Sequence, residues 1–237
     1  MHADDTRQRR PVRSFVRREG RLTPAQRDAL ERLWPDYGLP GPPSALDPVT
    51  AFGRQAPLVL EIGFGNGESL VANAAAHPER NYLGVEVYRP GVGRLLHQLV
   101  DAGLTNVRVS QHDAVEVMQH QLSPGSLTAI QLFFPDPWPK KRHHKRRLVQ
   151  PNWLSLAASR LAPGGWLHMA TDWQDYAEHM LAVADAEPAL ENTAGVGCFR
   201  KDTGERPGTK FEERGTRRGH SVFDLVYRRR DRGGGNA

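Results

Sequence analysis

Short apolar segments alternate with amphipathic segments of about ten residues between positions 58 and 185, and this alternation restricts the fold of the 237-residue chain more than any other feature. Apolar runs such as Leu58–Ile62 are typical of strands buried on both faces, whereas segment 68–76 has the spacing of a helix. Strands that alternate with helices predict an α/β fold, with a mostly parallel sheet covered by helices on both faces. Segment 221–227 and a weaker candidate over 193–199 predict antiparallel strands at the C-terminal edge.

The composition divides the chain into four parts. Residues 1–21 form a basic arm that we expect to be partly disordered, and residues 22–57 form a helix and a proline-rich linker packed on the core. Residues 58–230 form the main domain, and residues 231–237 form a disordered tail.

Several classes of protein are excluded by what the sequence lacks. A single cysteine, Cys198, excludes an internal disulfide framework and a cysteine-based zinc site. The adjacent His143 and His144 point in different directions, so we expect no metal. No apolar run is long enough to span a membrane, and the arginine-rich first residues do not resemble a secretory signal. These observations predict a cytoplasmic protein, which could be a monomer or a homodimer.

Basic residues are concentrated in three segments. Residues 1–21, 140–147 and 214–232 together carry a charge of +15, whereas the rest of the chain carries −10, although the net charge is only +5. Such segregation is typical of proteins that bind nucleic acids. Solvated loops in an arginine-rich protein would give the same count, so the charge alone leaves both interpretations open.

A glycine-rich segment follows the first predicted strand. It reads Glu61-Ile-Gly63-Phe-Gly65-Asn-Gly67 and predicts a sharp turn where a ligand can approach the backbone. The spacing is G-x-G-x-G behind an acid, whereas dinucleotide-binding proteins prefer G-x-G-x-x-G. An acid at the end of the first strand suits a cofactor with an ammonium group, and Glu86, at the end of the second strand, suits two ribose hydroxyls. These features favour S-adenosylmethionine and a methyltransferase over a dehydrogenase.

Three more acids follow the remaining parallel strands. Asp113, after the third strand, could accept a hydrogen bond from an adenine amine or could cap the next helix. Asp136 lies after the fourth strand between two prolines, which restrict its loop, and directly before the basic run 140–147. Asp172 follows the fifth strand. Ligands of open α/β sheets bind beyond the carboxyl ends of the strands, so we expect these acids to surround the site.

Together these motifs resemble the bacterial tRNA (guanine-N7-)-methyltransferases over residues 13–228. The most specific element is Leu132-Phe-Phe-Pro-Asp-Pro-Trp138. The other matching motifs are Arg13-Ser-Phe-Val-Arg-Arg-Glu-Gly-Arg-Leu-Thr23, the glycine-rich segment from Glu61 to Gly67, Gly84-Val-Glu-Val87, Pro90-Gly-Val-Gly93, His112-Asp-Ala114, the basic run ending at Arg147, Thr171-Asp-Trp173, Thr209-Lys-Phe-Glu212 and the Arg-Gly-Thr-Arg-Arg-Gly-His stretch that ends at His220. The resemblance implies a Rossmann-like class I methyltransferase fold, S-adenosylmethionine as cofactor, and methylation of N7 of guanine 46 in the variable loop of tRNA.

The resemblance also implies a role for each matching position. Asp136 matches the residue usually called catalytic. The cofactor-binding positions are Glu61, Gly63, Gly65, Gly67, Glu86, Asp113, Ala114 and Asp136. The substrate-binding positions are Lys140, Asp172, Thr209, Lys210, Phe211 and Glu212. The RNA-binding positions are Arg142, His143, His144, Lys145, Arg146 and Arg147. Relatives often have His then Lys where this chain has Pro139-Lys140-Lys141, so Lys141 could share the role of Lys140.

The chemistry of guanine N7 limits what Asp136 has to do. N7 is a lone-pair acceptor without a proton, so its methylation needs no general base. We expect Asp136 to accept hydrogen bonds from the guanine edge and to stabilise the positive charge that develops on the ring. Two alternatives remain. One is a methyltransferase for a small molecule or a protein; the other is a non-catalytic RNA-binding module, against which the intact acids Glu61, Glu86 and Asp113 argue.

Overall fold

The computed structural model describes residues 20–204, 206–207 and 221–231, and within them seven strands form one sheet in the order β3-β2-β1-β4-β5-β7-β6. The strands are β1 (Leu58–Ile62), β2 (Asn81–Val85), β3 (Val107–Ser110), β4 (Leu127–Phe133), β5 (Leu161–Thr171), β6 (Leu190–Asn192) and β7 (Phe223–Arg229). Strands β1 to β5 pair in parallel, whereas β7 pairs antiparallel with both β5 and β6. The predicted mostly parallel sheet with an antiparallel C-terminal edge is therefore confirmed.

Helices connect the strands and cover both faces of the sheet. They are α1 (Pro24–Arg32), α2 (Trp34–Tyr37), α3 (Pro48–Phe52), α4 (Glu68–Ala76), α5 (Arg89–Asp101), α6 (Ala114–His120), α7 (Pro151–Arg160) and α8 (Gln174–Asp185), with a 3-10 helix over Lys141–Arg146. Alternate residues of β1 point to opposite faces: Val59 packs with α4 and α5, whereas Leu58 and Leu60 pack with α6, α7 and α8. This two-sided burial explains why the first strand reads as a continuous apolar run.

Helix α1 begins where the sequence indicates and packs on α5. The Thr23 hydroxyl accepts a hydrogen bond from the Gln26 backbone, and the Gln26 side chain accepts one from the Thr23 N–H, which forms a capping box. The Gln26 amide also donates to the carbonyl oxygen of Pro90 in α5, at 3.1 Å. The helical segment before the linker is thus fixed to the helix that follows β2.

Two elements differ from the sequence prediction. The strand expected over 193–199 is wrong, because β6 ends at Asn192 and the chain then turns, with Gly195 and Gly197 at positive φ. The turn expected at Pro163-Gly164-Gly165 does not separate α7 from the next strand. Instead β5 already pairs with β4 at Leu161, and the three residues form an irregularity before regular pairing resumes at Trp166.

Candidate active site

The carboxyl ends of the five parallel strands meet at one edge of the sheet, and acids lie at each of them. Glu61 is near the end of β1, and Glu86 directly follows β2. Asp113, Asp136 and Asp172 follow β3, β4 and β5. Since parallel strands end at the same edge, the fold brings together acids that are up to 111 residues apart in the chain.

The glycine-rich segment forms a turn with one open side. Gly63, Gly65 and Gly67 have φ angles of 71°, 59° and 88°, in the left-handed region that favours glycine. A Cβ atom on Gly63 or Gly65 would have no other atom of the described residues within 4 Å. On the other side the turn contacts α5 so closely that a Cβ on Gly91 would lie 2.0 Å from the carbonyl oxygen of Gly65. The turn is thus supported from one side and open to a ligand on the other.

Glu86 holds this turn in place. Its Oε2 accepts a hydrogen bond from the Gly65 N–H at 3.0 Å, and its Oε1 accepts from the N–H groups of Val87 and Tyr88 at 2.7 and 2.9 Å. Burial raises the pKa of Glu86, the three N–H donors oppose this, and the charge of Asp136 adds to the rise. Because β2 and β4 both pair in parallel with β1, the loops that carry Glu86 and Asp136 leave the sheet at the same edge.

Glu61 is buried on the face of β1 that packs against α4. Among the described residues no group donates a hydrogen bond to its Oε2, and the Ser69 hydroxyl in α4 is also buried without a partner there. Burial raises the pKa of Glu61 to about 8, and the nearby Ser69 hydroxyl offsets this only in part. A buried carboxylate oxygen without a donor is costly, so this position fits a ligand that brings a positively charged donor.

Asp113 is the N-cap of α6. Its Oδ1 accepts a hydrogen bond from the Val115 N–H at 2.9 Å, and Ala114 is the first residue of the helix. The capping role is therefore confirmed. A carboxylate has four acceptor positions, so capping is compatible with a contact to adenine, which stays a prediction.

The loop that carries Asp136 has an unusual backbone. Phe134 and Trp138, two residues before and two residues after Asp136, have φ angles of 51° and 46°. A left-handed conformation costs a residue other than glycine about 1–2 kcal/mol, and neighbouring contacts must compensate for it. One of these contacts is a hydrogen bond of 2.8 Å from the Phe134 N–H to the carbonyl oxygen of Ala170 in β5. Asp136 itself is exposed at the edge of the sheet.

The basic run after this loop forms the 3-10 helix. Lys140, Lys141, Arg142 and Lys145 are exposed, whereas His143, His144 and Arg146 are half-buried. The Arg146 guanidinium lies 5.0 Å from the centre of the Trp138 ring, and the His143 ring meets Trp138 edge-on at 5.9 Å. Trp138 thus packs against the basic run, whereas Lys140, Lys141, Arg142 and Lys145 are exposed to solvent beside Asp136.

Arg147, at the end of the basic run, is buried. Its guanidinium donates a hydrogen bond to the Pro137 carbonyl oxygen at 2.9 Å, forms an ion pair with Asp175 and lies 4.8 Å from the centre of the Tyr176 ring. The Arg147 hydrogen bond lowers the pKa of Asp175. With 1% of its side chain exposed, Arg147 connects the Asp136 loop to α8, which corrects the expectation that it is available to RNA.

The remaining predicted substrate residues are located only in part. Asp172 is half-buried directly after β5. Thr209, Lys210, Phe211 and Glu212 lie outside the described residues, as do the first 19 residues of the basic arm.

Sequence reasoning missed a buried charged cluster next to the Asp136 loop. His168 in β5, Asp224 in β7 and Arg206 are joined by hydrogen bonds of 2.8 to 2.9 Å. These three residues are far apart in the sequence and match no motif. The sequence signal is limited to the polar residues His168 and Asp224, each of which stands between two apolar residues of its strand.

Two further features are absent from the described ranges. No helix there is long and apolar enough to cross a membrane. In the same residues, no group of three or more His, Cys, Asp or Glu side chains is arranged to hold a metal ion.

Known proteins are similar to this chain over almost its whole length. A family described as "Putative methyltransferase" matches residues 55–225. The chain is 63% identical to the tRNA (guanine-N(7)-)-methyltransferase of Alkalilimnicola ehrlichii over 234 residues, which covers 98% of each chain. It is 58% identical to the protein of the same name from Halorhodospira halophila, over 94% of this chain and 97% of the relative.

Solved structures support the fold independently. The 16S rRNA methyltransferase KamB aligns with a TM-score of 0.53 at 15% identity, over 76% of this chain and 91% of that one. Likeness at this level of identity shows the class I methyltransferase architecture alone.

Proposed function

Because this chain belongs to the tRNA (guanine-N(7)-)-methyltransferase family, we propose that it transfers the methyl group of S-adenosylmethionine to N7 of guanine 46 in the variable loop of tRNA. The observation that carries the cofactor assignment is the buried Glu61 oxygen, which has no donor among the described residues, beside a turn that is open at Gly63 and Gly65. S-adenosylmethionine has an ammonium group for such an oxygen and supplies an electrophilic methyl group when bound.

The described residues fit the parts of this cofactor. Glu61 would accept hydrogen bonds from the ammonium group, and the open side of the turn at Gly63 and Gly65 would lie against the cofactor, whereas Gly67 packs the turn against Leu95 of α5. Glu86 has one acceptor position left after its three backbone donors, which suits a ribose hydroxyl. Asp113 and Ala114, at the start of α6, would border the adenine.

Asp136 is proposed as the residue that orients the guanine. It is exposed, and it follows β4, which pairs in parallel with β1, at the edge of the sheet where the cofactor would lie. A carboxylate there accepts hydrogen bonds from the guanine edge and stabilises the positive charge formed on the ring. The rest of the rate enhancement comes from holding N7 in line with the methyl group, because a fixed geometry replaces a bimolecular encounter.

The surface around Asp136 suits a folded RNA. Lys140, Lys141, Arg142 and Lys145 are exposed beside it and would bind phosphates, with His143, His144 and Arg146 as further contacts at the rim. Lys140, Asp172 and the segment from Thr209 to Glu212 are proposed to contact the methylated nucleotide. Such a substrate makes the cytoplasm the expected place of action.

The test uses labelled S-adenosylmethionine and a tRNA transcript with guanine 46. We expect label in the RNA and chain cleavage at that nucleotide under conditions that break 7-methylguanosine sites. A transcript in which adenine replaces guanine 46 is the control and should stay unlabelled. Equal labelling of both transcripts would reject the position, and no label in any tRNA would reject the activity.

A further inference from the structure

The cluster of Arg206, Asp224 and His168 has a geometry that fixes each of its members. Arg206 donates from Nε to Oδ1 of Asp224 at 2.8 Å and from Nη2 to Oδ2 at 2.9 Å, and His168 Nε2 lies 2.8 Å from Oδ1. The three side chains are 0%, 6% and 2% exposed. Burial disfavours the ionised form of Asp224, but the hydrogen bonds to His168 and Arg206 outweigh it and lower its pKa. Asp224 is therefore a carboxylate held by donors on both oxygens.

A cluster of this kind contributes little net stability. Moving two charges from water into the interior costs several kcal/mol for each ion, and packed apolar residues of the same volume are often as stable or more so. Its main effect is to fix the orientation of the Arg206 guanidinium, because a guanidinium paired through two nitrogens has one orientation relative to the carboxylate.

The cluster contacts the start of the Asp136 loop through two aromatic rings, those of Phe133 and Phe134. The Arg206 guanidinium lies 5.5 Å from the centre of the Phe134 ring, and the His168 ring meets the Phe133 ring edge-on at 5.1 Å. Phe134 is the first residue of the loop with a left-handed backbone, at φ 51°. The cluster thus packs against the point where the chain leaves β4 and turns toward Asp136.

We propose that Arg206, held by Asp224 and His168, is a positioning residue for methyl transfer. It fixes the Phe134 ring, so the strained loop keeps the Asp136 carboxylate where the guanine must be held. This inference rests on the proposed function and adds residues outside the cofactor and RNA surfaces. Asp136 is the group expected to touch the substrate, and Arg206 acts only through Phe134.

Two variants separate positioning from stability. Arg206→Lys keeps a positive charge for Asp224 but loses the planar pairing and the contact with the ring, whereas Phe134→Leu removes the ring and keeps the cluster. We expect each to lower kcat by about tenfold or more, since small displacements of a reacting group have such effects. The Kd for S-adenosylmethionine should change by less than about twofold, because Glu61, the glycine turn, Glu86 and Asp113 lie on other loops than Phe134.

A double variant and a control complete the test. If both residues act through one contact, Arg206→Lys combined with Phe134→Leu lowers kcat no further than the stronger single variant. Tyr227→Phe is the matched control, since Tyr227 is buried in the same strand as Asp224 and its hydroxyl donates to Asp185 at 2.6 Å. It should lower the Tm while kcat stays unchanged.

Each outcome decides the proposal. Wild-type kcat in Phe134→Leu overturns it even if Arg206→Lys does not fold, and additive losses in the double variant overturn it as well. If Tyr227→Phe lowers both the Tm and kcat as Arg206→Lys does, any weakening of β7 has the same effect, which also contradicts the proposal. Failure of the proposed function is seen separately, as an inactive wild-type enzyme.

Discussion

The Glu86 carboxylate accepts a hydrogen bond from the Gly65 N–H at 3.0 Å, so a residue that follows β2 closes the turn that follows β1. An acid that the sequence assigns to ribose recognition therefore also shapes the glycine turn. Because β1 and β2 are parallel neighbours, their carboxyl ends are close enough for the Glu86 side chain to reach the turn after β1.

We predict that Gly65→Ala weakens cofactor binding far more than a matched glycine variant. Gly65 and Gly103 have φ angles of 59° and 61°, and a Cβ on either would have no atom within 4 Å in the part of the chain that the structure describes. Each alanine variant should lose about 1–2 kcal/mol of stability from the left-handed backbone. Only Gly65→Ala places a methyl group in the proposed cofactor space, so calorimetric titration should show a higher Kd in that variant. Equal Kd values in the two variants would contradict the assigned cofactor position.

We predict that S-adenosylmethionine binding at pH 7 releases about one proton from Glu61, because its pKa is raised to about 8 and an ammonium partner favours the ionised form. Titration calorimetry in buffers of different ionisation enthalpy measures this release. Glu61→Gln should bind more weakly and release no such proton. If proton release is unchanged in Glu61→Gln, the released proton comes from another group.

The same carboxyl group should give the cofactor-free protein a characteristic pH dependence. Its pKa rises on folding from 4.5 to about 8, so the folded state binds the extra proton between these values. Its contribution to stability is therefore present at low pH and is lost as the pH rises through this window. Thermal unfolding between pH 5 and pH 8 should show a smaller decrease in Tm for Glu61→Gln than for the wild type.

We predict that Asp136→Asn lowers kcat by about 100-fold or more, the loss typical for a residue that stabilises transition-state charge. The side chain is exposed, so folding should be unaffected. Binding of tRNA, measured by filter retention, should stay close to that of the wild type. Wild-type turnover in this variant would remove Asp136 from a central role.

We predict that the exposed cations of the basic run set the salt dependence of tRNA binding. Each phosphate contact contributes about 0.7–0.9 to the slope of log affinity against log salt concentration. Replacing Lys140, Lys141, Arg142 and Lys145 together by Ala should lower that slope by about 3 if each cation makes one contact. Arg32→Ala, which removes an exposed cation from α1, is the control and should leave the slope unchanged. A slope that the fourfold replacement does not alter would place the RNA elsewhere.

Arg147 should behave differently from its basic neighbours. Arg147→Ala leaves the Pro137 carbonyl oxygen without its donor, so we expect the free energy of unfolding to fall by about 1–3 kcal/mol. The exposed neighbour provides a control, since Lys145→Ala should change stability by less than about 0.5 kcal/mol. Chemical denaturation measures both. A stable Arg147→Ala protein with a reduced salt slope would return Arg147 to the RNA surface.

Much of the fold is determined by local sequence. The observed bounds of β1 and α4 match the predicted ones, because a continuous apolar run and a helical spacing are properties of neighbouring residues. The strand predicted over 193–199 is wrong because the edge strand depends on a distant partner. The observed strand β6 has only three residues and is held by its pairing with β7, which no local pattern indicates.

The sequence alone determined which acids lie at the candidate site, since the end of every parallel strand falls on one edge. Only the tertiary structure decided that Glu61 keeps a buried oxygen with no donor among the described residues, and that Arg147 is buried while Lys145 is exposed. It alone joined Arg206, Asp224 and His168 beside Phe134. The physical reason is that burial and charge pairing depend on partners distant in the chain, which no local pattern records.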